Sequence, residues 1–364
     1  MTSITRGGRA FLWLQLLAFA LTGGLAASFA AAQDKRFDGV TLRVATYGGP
    51  WKDGLQSLIA ADMEKLGAKV EFITGPPSAH LAKLIAARGK APPFDLTEVD
   101  EPSAPQFLKA GVLQKFDPAL LPNAAGLVSP IAKDGFLVPD WVFQDGVVYN
   151  ADKFKELGLP KPTRYRDLLD PKLKGRVGVP DISGNLGLFV VYGFAIDAGG
   201  DETNVVPGIE NMKKLGATQF FTGNPAAQTA LASGDIWANF MGASWAVRLR
   251  RAGHSWAKFA HLQVGNNVGL KERGYIGITK GTRNVEAAHY FVNRYISAEV
   301  QIELAKQLGS VAVNKDALAA LAKDPLLQEI MLLTPAETAN MREVDFDKID
   351  VAKWREEWNR IMLR

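Results

Sequence analysis

The sequence predicts an α/β fold in two domains, each a mixed, mostly parallel sheet flanked by helices. Three observations carry this reading. Short β-branched runs alternate along the chain with apolar residues at helical spacing. The joints between them are short and marked by Gly and Pro, which favours helix-connected strands over an all-β meander. A length of 364 residues also exceeds what one hydrophobic core usually organises.

The elements follow in order. Val40 to Tyr47 reads as a buried strand, broken by Gly48-Gly49-Pro50, and Trp51 to Met63 carries helical periodicity through Leu55, Leu58, Ile59 and Met63. Lys69 to Ile73 is a strand and Ser78 to Arg88 a helix. Phe94 to Val99 and Ala104 to Ala110 repeat the pair. Gly135 to Asn150 alternates through Phe136, Val138, Trp141, Phe143, Val147 and Val148, and is read as two extended segments. After a short helix from Asp152 to Leu157, turn-rich links lead to a strand at Arg176 to Pro180. Ser183-Gly184-Asn185 then opens a helix from Leu186 to Ile196. Helices are expected at Ile209–Leu215, Pro225–Ala232 and Trp245–Ala252, with strands at Ile236–Phe240 and Tyr275–Ile278. Helices at Val285–Ile296, Glu299–Leu308 and Val351–Leu363 finish the chain. Trp354 and Trp358 share a face of the last helix, spaced for docking onto a domain rather than for a site. No internal repeat appears.

Before all this lies a leader. Arg6 and Arg9 precede the apolar run Phe11 to Leu21, which is short for a membrane span, and Ala30-Ala31-Ala32 supplies small residues for cleavage near Ala32/Gln33. Residues 1–32 are therefore expected to be a signal peptide, and the rest an exported protein. The chain has no cysteine, which excludes disulfides, thiol nucleophiles and a cysteine-linked lipid anchor. This composition fits a protein dissolved in the periplasm. The formal charge of +4, with no dense basic stripe, gives no reason to expect nucleic acid as a partner. His80, His254, His261 and His289 lack metal-ligand spacing, so no metal and no cofactor are expected. GxSxG, phosphate-loop and dinucleotide motifs are absent.

What remains is a set of loops at strand ends, where ligands sit in open α/β sheets. They carry Tyr47, Gly49 and Trp51; Asp100 and Glu101; Trp141, Phe143 and Asp145; Asp181, Ser183 and Asn185; Ser244 and Trp245; and Glu272, Arg273 and Tyr275. Aromatic faces beside carboxylates suit an ammonium group through cation–π contact and charge pairing. Ser183 at a helix start suits an anion, or is a plain N-cap. An exported hydrolase using two of Asp100, Glu101, Asp145 and Asp181 is a rival reading, and a ligand-binding module that signals without transport is another.

Several stretches together resemble a known family. They are Val44-Ala45-Thr46-Tyr47-Gly48-Gly49 with Trp51, Phe94-Asp95-Leu96, Gly111-Val112-Leu113-Gln114 and Asp145 to Asn150. Further on come Leu168 to Val177 with its Asp-Pro-Lys-Leu-Lys-Gly-Arg-Val run, Ala232 to Ile236, and Gly277 to Thr282. The chain resembles the bacterial extracellular solute-binding proteins of ABC importers, in the spermidine/putrescine-binding branch. That resemblance implies a type II periplasmic-binding-protein fold of two lobes joined by crossing strands and closing on a solute. It also implies an inner-membrane permease as partner and a monomer. The lobes are expected at 33–142 plus 276–308 and at 143–275 plus 309–364. By the resemblance, Tyr47, Trp51 and Trp245 supply the aromatics of the cleft. The chain departs from the polyamine pattern at Ser183-Gly184-Asn185, which follows Asp181, and at Arg273-Gly274, where a carboxylate is expected. An Arg there would repel a diamine and attract a carboxylate. The reading therefore stays open between a polyamine-like solute and a zwitterion such as an ω-amino acid or an opine-like compound.

Overall fold

The structure, a computed structural model, describes residues 35–217 and 219–362. The expected leader and its cleavage point lie outside them. The strands are β1 (Thr41–Thr46), β2 (Lys69–Thr74), β3 (Leu96–Asp100), β4 (Leu113–Gln114), β5 (Val138–Asn150), β6 (Val177–Pro180) and β7 (Phe220–Phe221). They continue with β8 (Ala238–Gly242), β9 (Ala257–Ala260), β10 (Gln263–Val264), β11 (Asn267–Val268), β12 (Leu270–Thr279) and β13 (Arg342–Glu343). Eleven of them form one hydrogen-bonded sheet with the path β2-β1-β3-β12-β5-β8-β6-β7. Strands β4 and β13 pair with β12, and β9 pairs with β5.

The sheet is mixed in a regular way. At its two ends β1 pairs parallel with β2 and β3, and β6 parallel with β7 and β8, the pairing that helix-connected crossovers produce. Between these ends β12 and β5 run antiparallel to each other, to β3 and to β8. These two long strands belong to both halves. Val138 of β5 and Ile276 and Ile278 of β12 sit in a core with Leu42, Val44, Phe291 and Leu304. Val147 of β5 and Leu270 of β12 sit in another core, with Val177, Phe189, Phe194 and Phe240. Trp354 and Trp358 of the last helix dock into that second core, as their spacing predicted.

Two expectations change here. Gly135 to Asn150 holds one thirteen-residue strand, not two segments, and the late strand is ten residues long, starting at Leu270 rather than Tyr275. The reason is visible in the residues. The middle of each strand carries polar side chains, Asp140, Gln144 and Asp145 in β5, and Lys271, Glu272 and Arg273 in β12. They interrupt the apolar alternation just where the strands leave one core and enter the other. Helices at Lys315–Leu321, Pro325–Ile330 and Pro335–Ala339 were not anticipated; the first two pack on Leu231, Val247 and Leu249.

Candidate functional site

The middles of β5 and β12 line a cleft through Trp141, Phe143, Asp145 and Glu272. In their antiparallel register Phe143 faces Glu272 and Trp141 faces Gly274. With a side-chain period of two, Trp141, Phe143 and Asp145 share a face with Glu272 and Gly274. Gly274 is required there: a Cβ would fall 1.8 Å from Cε2 of Trp141, whose ring lies over the glycine.

The first loop adds the rest of an aromatic wall. Gly49, at φ 63°, turns the chain from β1 into the helix Pro50–Leu55 and so presents Trp51. Trp51 Nε1 donates to Glu98 Oε1 at 2.9 Å, and Tyr295 OH donates to the same carboxylate at 2.7 Å. Thr46 Oγ1 also donates to Glu98. Burial raises the Glu98 pKa, and these donors work against that shift. Ring centroids lie 6.2 Å apart for Tyr47–Trp51, 6.1 Å for Trp51–Trp141 and 5.0 Å for Trp141–Phe143, mostly edge-to-face or tilted.

These four rings line a cavity of about 480 Å³ together with Glu272 and, from the other half, Asp181, Asn185 and the loop Phe221–Asn224. An adjoining chamber of about 190 Å³ shares Trp51, Phe143 and Glu272 and adds Asp145, Ser244, Trp245 and Arg248. Asn185 reaches across the cleft, its Nδ2 donating to Asp100 Oδ2 at 2.6 Å and lying 3.5 Å from Glu272 Oε1.

The electrostatics are lopsided. Among the described residues, no Lys or Arg forms an ion pair with Asp100, Asp145 or Glu272. Asp145 Oδ2 is buried without a hydrogen-bond partner. Burial pushes Asp145 up to about 7. Burial, then the charges of Asp145, Asp100 and Glu101, raise Glu272 well above the usual carboxylate range. The Tyr47 hydroxyl is raised too, by burial and then by Asp100, Glu98 and Glu272, and is itself buried without a partner. Such a cluster gains from a cation placed among its members.

Of the residues expected at a site, Tyr47, Trp51, Asp181 and Asn185 line the larger cavity, and Asp145 and Trp245 the smaller. Asp100 joins through Asn185. The others do different work. Arg273 points to the opposite face of β12, one step out of phase with Glu272. Its Nε donates to Glu101 Oε1 at 2.9 Å, and its Nη1 lies 3.0 Å from Glu343 Oε2. Glu101 and Arg273 thus satisfy each other, and neither lines the cleft. Tyr275 follows a register shift and packs in a core with Phe94, Val99 and Phe107. Ser183 is exposed and is not the N-cap; Gly184 is, without a side-chain cap, because the Ser183 backbone N–H turns back to Asp181 Oδ1 at 2.8 Å. Gly49 shapes the loop and does not line the cavity.

Sequence reasoning passed over Arg248 and the Phe221–Asn224 loop, and noted Glu272 without assigning it to the site. Correct phasing of β12 would have exchanged Arg273 for Glu272; nothing in the sequence singles out Arg248 among the four arginines between 248 and 273. Among the described residues no group of His, Asp and Glu could hold a metal ion.

Comparison with known proteins places this geometry. No curated protein sequence matches the chain. Among solved structures, an ABC transporter protein from Clostridium perfringens ATCC 13124 aligns with a TM-score of 0.70 at 22% identity, over 88% of this chain and 99% of that one. A GABA receptor aligns at 0.72 and 18% identity, over 88% and 96%. The protein AgtB from A. tumefaciens R10, in complex with agropinic acid, aligns at 0.65 and 20% identity, over 90% and 99%. These likenesses establish the two-lobed periplasmic-binding-protein fold. Residues 57–329, most of the chain, match the family described as Bacterial extracellular solute-binding protein. The chain belongs to that family of bacterial extracellular solute-binding proteins.

Proposed function

We propose that the protein captures a small amine-bearing solute, polyamine-like in its ammonium end, and delivers it to an inner-membrane permease from the periplasm. The observation that carries this reading is a cavity lined by the rings of Tyr47, Trp51 and Trp141 together with Glu272, adjoining a chamber with Asp145, both carboxylates without a basic partner among the described residues. A ligand ammonium gains cation–π contact from the rings and relieves the repulsion among the acids. An amine also suits a fold shared with a GABA receptor. No bond is made or broken, and the protein acts as a monomer.

The two lobes are taken as 33–142 plus 276–308 and 143–275 plus 309–364, hinged on β5 and β12. A ligand touching Trp51 in one lobe and Asn185 or Trp245 in the other favours closure because only the closed form offers both contacts.

The test is a thermal-shift screen of the purified protein with putrescine, spermidine, γ-aminobutyrate and matched acids. A ligand at a hundred times its dissociation constant adds about 2.7 kcal/mol of stability, a readable shift. Amines are expected to shift the melting point, and Trp51→Ala to weaken their binding by about 1–3 kcal/mol. Shifts with plain acids alone would refute the reading.

A further inference from the structure

We propose that the solute is a zwitterion whose carboxylate docks on Arg248 while its ammonium lies at Trp51 and Glu272. This rests on the amine reading above and adds the other end of the ligand. Arg248 lies on the helix Ala243–Arg251 and lines the smaller chamber beside Trp245 and Asp145. Its neighbours on that helix are paired: Arg250 with Glu329 at 2.7 Å and Arg251 with Asp324 at 3.6 Å. Arg248 has no carboxylate within ion-pair distance among the described residues, and its Nε is buried without a partner.

The side chain is nevertheless held in place. One terminal nitrogen donates to the Leu308 carbonyl at 2.8 Å, and the guanidinium stacks over the Trp245 ring at 4.5 Å. A half-buried cation held this way, with an unused donor edge, is built to receive an anion, and a planar guanidinium matches a carboxylate. Burial also lowers its pKa. A diamine reaching from Glu272 into this chamber would place its second ammonium against the Arg248 charge. An ω-amino acid would place a carboxylate there instead.

The experiment is calorimetric titration of the purified protein with γ-aminobutyrate, δ-aminovalerate, putrescine and butyrate. One of the two ω-amino acids is expected to bind at least about tenfold tighter than putrescine. Arg248→Gln should weaken ω-amino acid binding by about tenfold or more while leaving putrescine unchanged or tighter. Arg248→Lys keeps the charge but loses the fork and should fall between; it carries the comparison if Arg248→Gln does not fold. Tighter binding of putrescine by the unmodified protein, or an equal loss for both ligand classes in the variant, would overturn this proposal and leave the amine reading intact. Equal affinity for γ-aminobutyrate and butyrate, or no binding by any of the four, would overturn the amine reading and this proposal with it.

Discussion

Asp145 and Glu272 govern how the cleft responds to pH. Burial holds Asp145 at about 7, so near neutrality it is divided between its two forms, and only the ionised form attracts an ammonium. Affinity for an amine should therefore rise about tenfold between pH 6 and 8, the ligand itself staying charged, and Asp145→Asn should flatten that rise. Titrations across this range in buffers of different ionisation enthalpy would also record proton release on binding; a flat profile in the unmodified protein would refute the assignment. Stability runs the other way. A carboxyl whose pKa is raised by folding binds more protons in the native state, so stability without added solute falls as pH rises from about 4 to about 7 and levels off above. The full effect of Asp145 is on the order of 4 kcal/mol. Melting curves should then show Asp145→Asn more stable than the unmodified protein at pH 8 and little different near pH 4. Glu272 is shifted in the same direction, so the slope will be reduced by this substitution, not abolished.

At the level of elements, β5 and β12 decide both the site and how far it could be read from sequence. The strands at the two ends of the sheet were legible because they are short and largely apolar: Leu42, Val44 and Ala45 of β1 and Val177 and Val179 of β6 are buried, and the helices after them carry apolar faces. The crossing strands were not, since their central residues serve neither core. Starting the late strand at Tyr275 left Arg273 in a loop, where it looked like a ligand contact. Starting it at Leu270 places Arg273 on the far face with Glu101 and brings Glu272 to the cleft. The same alternation makes Gly274 a sharp test. Gly274→Ala sets a methyl group 1.8 Å from an indole atom of Trp141, an overlap that should cost about 1–3 kcal/mol or more in urea unfolding. It should also weaken amine binding by pushing the ring out of the aromatic wall. Gly277→Ala on the same strand meets the side chains of Leu113 at 3.1 Å, flexible groups that can move, and should cost less. Equal effects at the two positions would argue against the Trp141 packing described here.

On the scale of the whole molecule, the proposed closure of the two halves turns on what joins them across the cleft. The core around β1 and the core around β6 are distinct clusters, and among the described residues the Asn185 side chain reaches across the cleft, donating to Asp100 and approaching Glu272. Asn185 stands at the start of the helix Asn185–Asp197, and Asp100 ends β3, so this bond joins the second half to the first. It also places a donor on the carboxylates that a ligand ammonium would neutralise, so the bond and the ligand act on one cluster. If closure is stabilised by contacts to both halves, removing Asn185 should weaken binding even where the ammonium does not touch it. A hydrogen bond to a charged carboxylate is worth about 1.5–3 kcal/mol, so Asn185→Ala should weaken amine binding by roughly ten- to a hundredfold. Small-angle scattering separates this from a simple contact effect. Saturating solute should shrink the radius of gyration of the unmodified protein, whereas Asn185→Ala, saturated at a higher concentration, should stay more extended. A variant that binds weakly yet compacts fully would make Asn185 a ligand contact alone, and the latch between the halves would have to lie elsewhere along the cleft.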